Sequence, residues 1–111
     1  MTPQLSRKLT LEAPTRASDG AGGFSEAWAA LGVHWAEVKS GSGRVTSRGE
    51  ASLSEVPTTI TVRGAPVGAQ SRPIPDQRFR EGARVWRILA VTEADAMGRF
   101  LRCDTIEEAV A

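Results

Sequence analysis

The chain is poor in the residues that carry most enzyme chemistry. It has one cysteine, one histidine and no tyrosine in 111 residues. One cysteine rules out an intrachain disulfide, so nothing in the chain calls for an oxidising compartment. His34 and Cys103, with scattered carboxylates, make no metal-ligand spacing. His34 reads as a surface or edge histidine. Cys103 alternates with Leu101 and reads as a small buried hydrophobe. No third group is placed to orient a Cys–His pair. No carboxylate pair lies beside an apolar pocket, and Glu107 and Glu108 read as solvated. No enzyme activity, cofactor or metal is expected. No apolar run approaches the roughly 18 residues of a membrane span. The start, MTPQLSRKLTL, lacks the apolar stretch of a secretory signal. The expectation is a protein of the cytosol, or of something assembled there.

Net charge is also scarce: 14 basic residues against 13 acidic give +1. That balance argues against a protein whose main work is gripping phosphate. The distribution is uneven. Residues 40–90 hold eight basic and four acidic groups (+4), and residues 91–111 hold two and five (−3). Such a split suits docking between copies or partners. Twelve of the basic residues are arginine, the side chain best suited to bidentate pairing with carboxylates. GSG at 41–43 with Arg44 hints at a phosphate nest but lacks the strand–loop–helix frame of a P-loop. Trp86, between Arg84 and Arg87, is the one candidate base-stacking platform. A core or interface anchor fits it better, and it is expected to be half-buried.

What is present is strand signal. RKLTLEA (7–13) alternates Leu9 and Leu11 against Lys8, Thr10 and Glu12, and Pro14 is expected to end it. SDGAGG (18–23) is dense turn chemistry. FSEAWAAL (24–31) is open to a short helix, since Ala, Glu and Leu favour one, but a strand is preferred because the glycine turn before it suits a hairpin. VHWAEVK (33–39) reads as a strand, and Gly32 as a bulge or bend. TTITVRG (58–64) alternates again, and Pro66, Pro73 and Pro75 break the next stretch. QRFR (77–80) is a short strand. RVWRILAVT (84–92) reads as a strand covered on both faces. RFLRCDTI (99–106) is the last strand, and EEAVA is a frayed end or short helical turn. The length fits one domain, residues 1–111. The expected fold is all-β, a small antiparallel barrel or sandwich of six to seven strands. Its expected core is Leu9, Leu11, Trp28, Trp35, Val38, Ile60, Val62, Phe79, Val85, Ile88, Leu89, Val91, Leu101 and Ile106.

One stretch resists this reading. SGSGRVTSRGEASLSEVP (40–57) has few large apolar residues and no clean period. Loops beyond about 12–15 residues are uncommon in compact domains and are usually functional or disordered. The expectation is a long arm-like loop whose Arg44, Arg48, Glu50 and Glu55 contact a neighbour or a channel. Arg72, Arg78 and Arg80 are further basic candidates for a partner or a lumen.

The order of these elements resembles the phage head–tail joining proteins, also called head-closure or stopper proteins, of long-tailed phages and phage-like gene transfer particles. That family shows a DxxGG-type turn with a downstream Trp, then a W-A-x-V-type strand end running into S-G. An x-I-x-V-R strand follows, then an Arg…Gly-x-x-Trp-x-Ile strand. The matching positions are Asp19, Gly22, Gly23, Trp28, Trp35, Ala36, Ser42, Gly43, Ile60, Val62, Arg63, Arg78, Gly82, Trp86 and Ile88. The resemblance covers about residues 5–106. The family often has a proline near Ser40 or Gly41, absent here, and the 64–76 segment is longer than usual. The resemblance implies a β-barrel subunit of a homo-oligomeric ring, six- or twelve-fold with six preferred. It would sit in the virion neck, assembled in bacterial cytoplasm. Portal and adaptor would lie above, the tail terminator and tail tube below. DNA would pass the lumen without sequence-specific binding, and no membrane is involved. Alternatives are a tail terminator or other neck protein, or a small nucleic-acid-binding barrel.

Overall fold

The computed structural model describes residues 2–18, 20–41, 44–48 and 51–110, with side chains for all of these except 44–48, 51–54 and 108–110. Asp19, Ser42, Gly43 and Glu50, singled out above, lie outside the described residues. The strands are β1 (Arg7–Ser18), β2 (Phe24–Ser40), β3 (Arg44–Arg48), β4 (Ala51–Arg63), β5 (Arg78–Glu81), β6 (Arg84–Glu93) and β7 (Phe100–Val110). All pairs are antiparallel, in the order β2-β1-β5-β6-β7-β4-β3. A further β2–β4 pairing, Ala36–Ser40 with Val62–Thr58, closes six strands into a barrel. β3 hangs on β4 outside that closure. Closure removes most sheet edges, which a small all-β domain has to manage.

The interior is filled by residues at alternate positions of every barrel strand. Leu9, Leu11, Ala36, Ile60, Val62, Phe79, Trp86, Ile88, Leu101 and Cys103 form the buried cluster. Leu31, Val38 and Val91 pack against it while partly exposed. Fully burying one such side chain stabilises by about 1.5–3 kcal/mol. Five expectations for the core change. Trp35 is 55% exposed and Leu89 49% exposed, Trp28 and Val85 are only partly buried and face outward, and Trp86 is fully buried.

Two bulges explain the outward turn of Trp35 and Leu89. In the β1–β2 ladder Leu11 faces Gly32, yet Glu12 faces Ala30, so Leu31 is an extra residue. Gly32 sits there at φ +153°, a conformation glycine takes without strain. The insertion reverses the phase of β2. His34, Ala36 and Val38 turn inward, and Val33 and Trp35 turn out. In β6, Ile88 faces Thr105 and Ala90 faces Asp104, so Leu89 is the extra residue. It bulges outward while Trp86 and Ile88 before it, and Val91 after it, face the core.

Four boundaries also differ from the sequence reading. Pro14 does not end β1, because β5 pairs with β1 only at Thr10–Glu12. Past that point β1 is an edge, where the missing N–H costs no ladder bond. Residues 24–40 are one strand of 17 residues, not two. Residues 44–48 and 51–57 are strand rather than loop, and Arg44↔Glu55 to Arg48↔Ala51 pair as a hairpin. Its β4 strand is held by β7 as far as Leu53↔Val110, so residues 107–110 are strand, not a frayed turn. The proline-rich segment after β4 folds back over one barrel end. Gly64 donates to the Arg99 carbonyl at 2.7 Å, and a Cβ at Gly64 would run into the Gly98 carbonyl oxygen.

Two hairpins therefore leave the barrel. Residues 13–30 of β1–β2 extend from one end of β2. The β3–β4 hairpin follows the other end of the same strand. Small residues make the first hairpin possible without a core of its own. Ala13↔Ala29, Thr15↔Ala27 and Ala17↔Ser25 share one face. Pro14, Arg16, Phe24 and Trp28 lie on the opposite face.

Candidate interaction surfaces

Three clusters of charged and aromatic side chains mark the surface. The first closes the barrel end next to β3. Arg7, Glu81 and Arg84 sit at the ends of β1, β5 and β6, and Glu107 three residues before the end of β7, all on the inward face. Arg7 Nη2 meets Glu81 at 2.6 Å, and Arg84 grips Glu107 with two bonds of 2.7 and 2.9 Å. Both guanidiniums lie over the Trp86 ring, 5.7 and 4.8 Å from its centroid. The hydrogen bond from Arg7 holds the Glu81 carboxyl below the usual carboxylate range, outweighing desolvation. The bond to Glu107 raises Arg84 in turn. Trp86 Nε1 is the one buried side-chain polar atom among the described residues without a hydrogen-bond partner. The two ion pairs thus form a lid over an indole packed in the core.

The second cluster fixes the root of the first hairpin. Glu12 is 5% exposed and accepts bonds from Arg78 Nε at 2.7 Å and Arg80 Nε at 2.8 Å. Burial alone would push the Glu12 carboxyl up. Hydrogen bonds from Arg80 and Arg78, with their charges, outweigh it and leave the group below its ordinary value. Arg78 also stacks 4.0 Å from the centroid of the Trp28 ring. The chain Glu12–Arg78–Trp28 ties β1, β5 and β2 together where the hairpin departs.

The third is an apolar strip along the outer face of β2. Phe24, Val33 and Trp35 are each at least half exposed, with Trp28 partly buried between them. Arg16 covers Phe24 at 4.7 Å. The Leu31 insertion is what brings the aromatics of the hairpin and the barrel to one side.

The candidate residues divide accordingly. Arg78 and Arg80 are brought together, but by Glu12, which leaves them less free for a lumen than expected. Arg72 is partly buried and donates to the Ala65 carbonyl at 3.0 Å, bracing the proline-rich segment. Glu55 is buried and lies opposite Arg44 in the β3–β4 register. Arg44 and Arg48 are placed at the two ends of β3 by their backbone alone. His34 is half-buried rather than on the surface, with its ring edge-on to Phe79 at 6.0 Å. Burial lowers its pKa, partly offset by a backbone bond at Ser71. Cys103 is buried as expected, its thiol pushed up to about 12 by desolvation. Among the described residues no group of three His, Cys, Asp or Glu could hold a metal.

The glycine turn at 18–23 marked the first hairpin in the sequence, but its length past Pro14 went unread. Its signal was there: small residues alternating on both sides of SDGAGG, equidistant from the turn.

The chain resembles a solved chain from the virion of a native gene transfer agent (GTA) particle. Identity is 54%, the TM-score is 0.88, and the match covers 99% of this chain and 100% of that one. No curated protein matches. The family model for the phage head completion protein matches residues 1–108. A match of that extent, on a closed six-stranded barrel, places the chain in the phage head completion protein family.

Proposed function

We propose that this chain is a structural subunit of the head–tail connector of a phage or phage-like particle, working as a ring beneath the portal side and offering a docking surface to the tail. Its role is mechanical rather than enzymatic. The match to a virion chain at 54% identity over 99% of the length carries the reading. The molecule supports it in kind. The barrel is filled with side chains, and the unusual chemistry lies outside: two projecting hairpins and an exposed aromatic strip. A phosphate-gripping module is less well supported, because Arg7, Arg78, Arg80, Arg84, Arg99 and Arg102 are each paired with a carboxylate.

The test is removal of the gene from the producing cell and a count of particles by electron microscopy. DNA-filled heads that leak or stay tailless are expected. A normal count of tailed, filled particles would overturn the reading.

A further inference from the structure

Beyond the barrel the first hairpin has a free edge on each side. β5 covers β1 only at Thr10–Glu12, and β4 covers β2 only at Ala36–Ser40. Unpaired backbone groups on such edges are a template for another strand. The two edges differ. Pro14 faces Trp28 and has no N–H to give it, so the pair fits the position at which neither residue bonds the other. The Pro14 nitrogen then points to the open side of β1, and a strand arriving there would lack a donor. By the same alternation, the N–H and C=O groups of Phe24, Glu26, Trp28 and Ala30 point to the open side of β2. That segment, FSEAWAA, has no proline and a single charge. Phe24 and Trp28 flank it as large apolar anchors.

The other end of the sheet supplies an occupant. β3 is the last strand in the order and, among the described residues, pairs with β4 alone, so its second edge is open as well. Its sequence, RVTSR, carries two positive charges and no proline, against the one negative charge of FSEAWAA. The two free strands lie at opposite ends of β2. A subunit with complementary edges at its two ends joins head to tail, and such contacts close into rings when the rotation allows.

We infer that β3 of one copy adds to the free β2 edge of the next at Phe24–Ala30, so that neighbouring subunits share an antiparallel or parallel β-ladder. Main-chain bonds supply the affinity, and the side chains flanking the edge fix the register. The inference rests on the ring reading above.

The experiment uses particles from the producing cell whose subunits carry Ala27→Cys together with Val45→Cys or Thr46→Cys. They are treated with a short bis-maleimide. Cys103, buried with a raised pKa, stays unreactive in the folded chain. A covalent ladder of this chain from a double variant, absent from the single variants, is the expected result. Adding Glu26→Pro removes one outward N–H and leaves the β1 ladder intact. It should cut the ladder about tenfold, the worth of roughly one hydrogen bond, with the melting temperature of the free subunit unchanged. Glu26→Ala, which keeps the N–H, should retain the ladder. Particles that contain the chain but give only monomer overturn the β2–β3 contact and leave the connector reading standing. A cross-link from Ala27→Cys to a different protein overturns the contact in the same way. Tailed particles that lack the chain altogether overturn both.

Discussion

Glu12 holds the first hairpin to the barrel, and its replacement by alanine tests that directly. The carboxylate accepts two bonds, 2.7 and 2.8 Å, from Arg78 and Arg80, and is itself almost fully buried. Bonds to charged groups contribute about 1.5–3 kcal/mol each, and breaking a fully buried pair costs about 3–5 kcal/mol. Here the partners keep access to water, with side chains 22% and 43% exposed. After truncation the guanidiniums can be resolvated, so the cost falls to about 2–3 kcal/mol. A chain of this size shifts by roughly 4 °C per kcal/mol, which gives a loss of about 8–12 °C. Circular dichroism melts of the purified subunit measure it.

The dependence on pH separates charge from packing. The folded pKa of Glu12 lies below its ordinary value of 4.5. The stabilisation is therefore complete above that value and is lost as pH falls through the lower folded pKa. Glu12→Gln keeps the shape and removes the charge. Its deficit should be full at neutral pH and shrink toward zero in acid below the folded pKa. A shift under about 2 °C for Glu12→Ala, or a Glu12→Gln deficit that does not change with pH, would refute the reasoning.

Trp86→Ala should cost about 3–5 kcal/mol, as aromatic truncations in cores do, while Trp35→Ala on the outer face should stay within about 0.5 kcal/mol in the same denaturant titration. Cys103 should resist a thiol reagent in the native chain and react once urea unfolds it, since its thiol is buried with a pKa near 12. Replacing residues 43–54 by a short glycine linker should leave a cooperative melt, because Thr58–Val62 still close the barrel against β2; the same variant should yield few tailed particles. Charge reversal at Arg44 and Arg48 together should give a milder loss of tailed particles, counted the same way, because rim charges steer docking more than they supply affinity.

The strand inventory was legible because a strand with one buried face must alternate, and Leu9/Leu11, Ile60/Val62 and Leu101/Cys103 do. The misplacements come from single-residue insertions that a period of two cannot register. RVWRILAV reads as a run buried on both faces, yet it is an alternating strand with Leu89 inserted. Trp28 and Trp35 are seven residues apart, an odd spacing that puts them on opposite faces of a regular strand. The Leu31 insertion makes the spacing even in effect and sends Trp35 out. The reach of the first hairpin and the pairing inside 40–57 were missed for a different reason. Strands that pair only with each other bury no face, so Thr15, Ala17, Ser25 and Ala27 leave no apolar period to find. The 40–57 stretch looked structureless for the same lack of large side chains. Arg78 and Arg80 looked like free cations because their partner, Glu12, is 66 and 68 residues away in sequence.

The packing inside the barrel constrains where a channel can be. Even eight-stranded barrels leave an interior just wide enough for side chains. Here six strands enclose Leu9, Leu11, Phe79, Trp86 and Ile88 with almost no exposure, and one end carries the Arg7–Glu81 and Arg84–Glu107 lid. Nothing the size of a nucleic acid can pass through a single subunit. A DNA path through the proposed connector must therefore run between copies, and its width is set by whatever joins them. Barrel faces alone would leave that spacing to side-chain contacts. A main-chain ladder between hairpins would fix it by register, in steps of one residue pair. With that ladder, the lengths of β2 and β3 would matter more to such a channel than the identity of any one basic residue lining it.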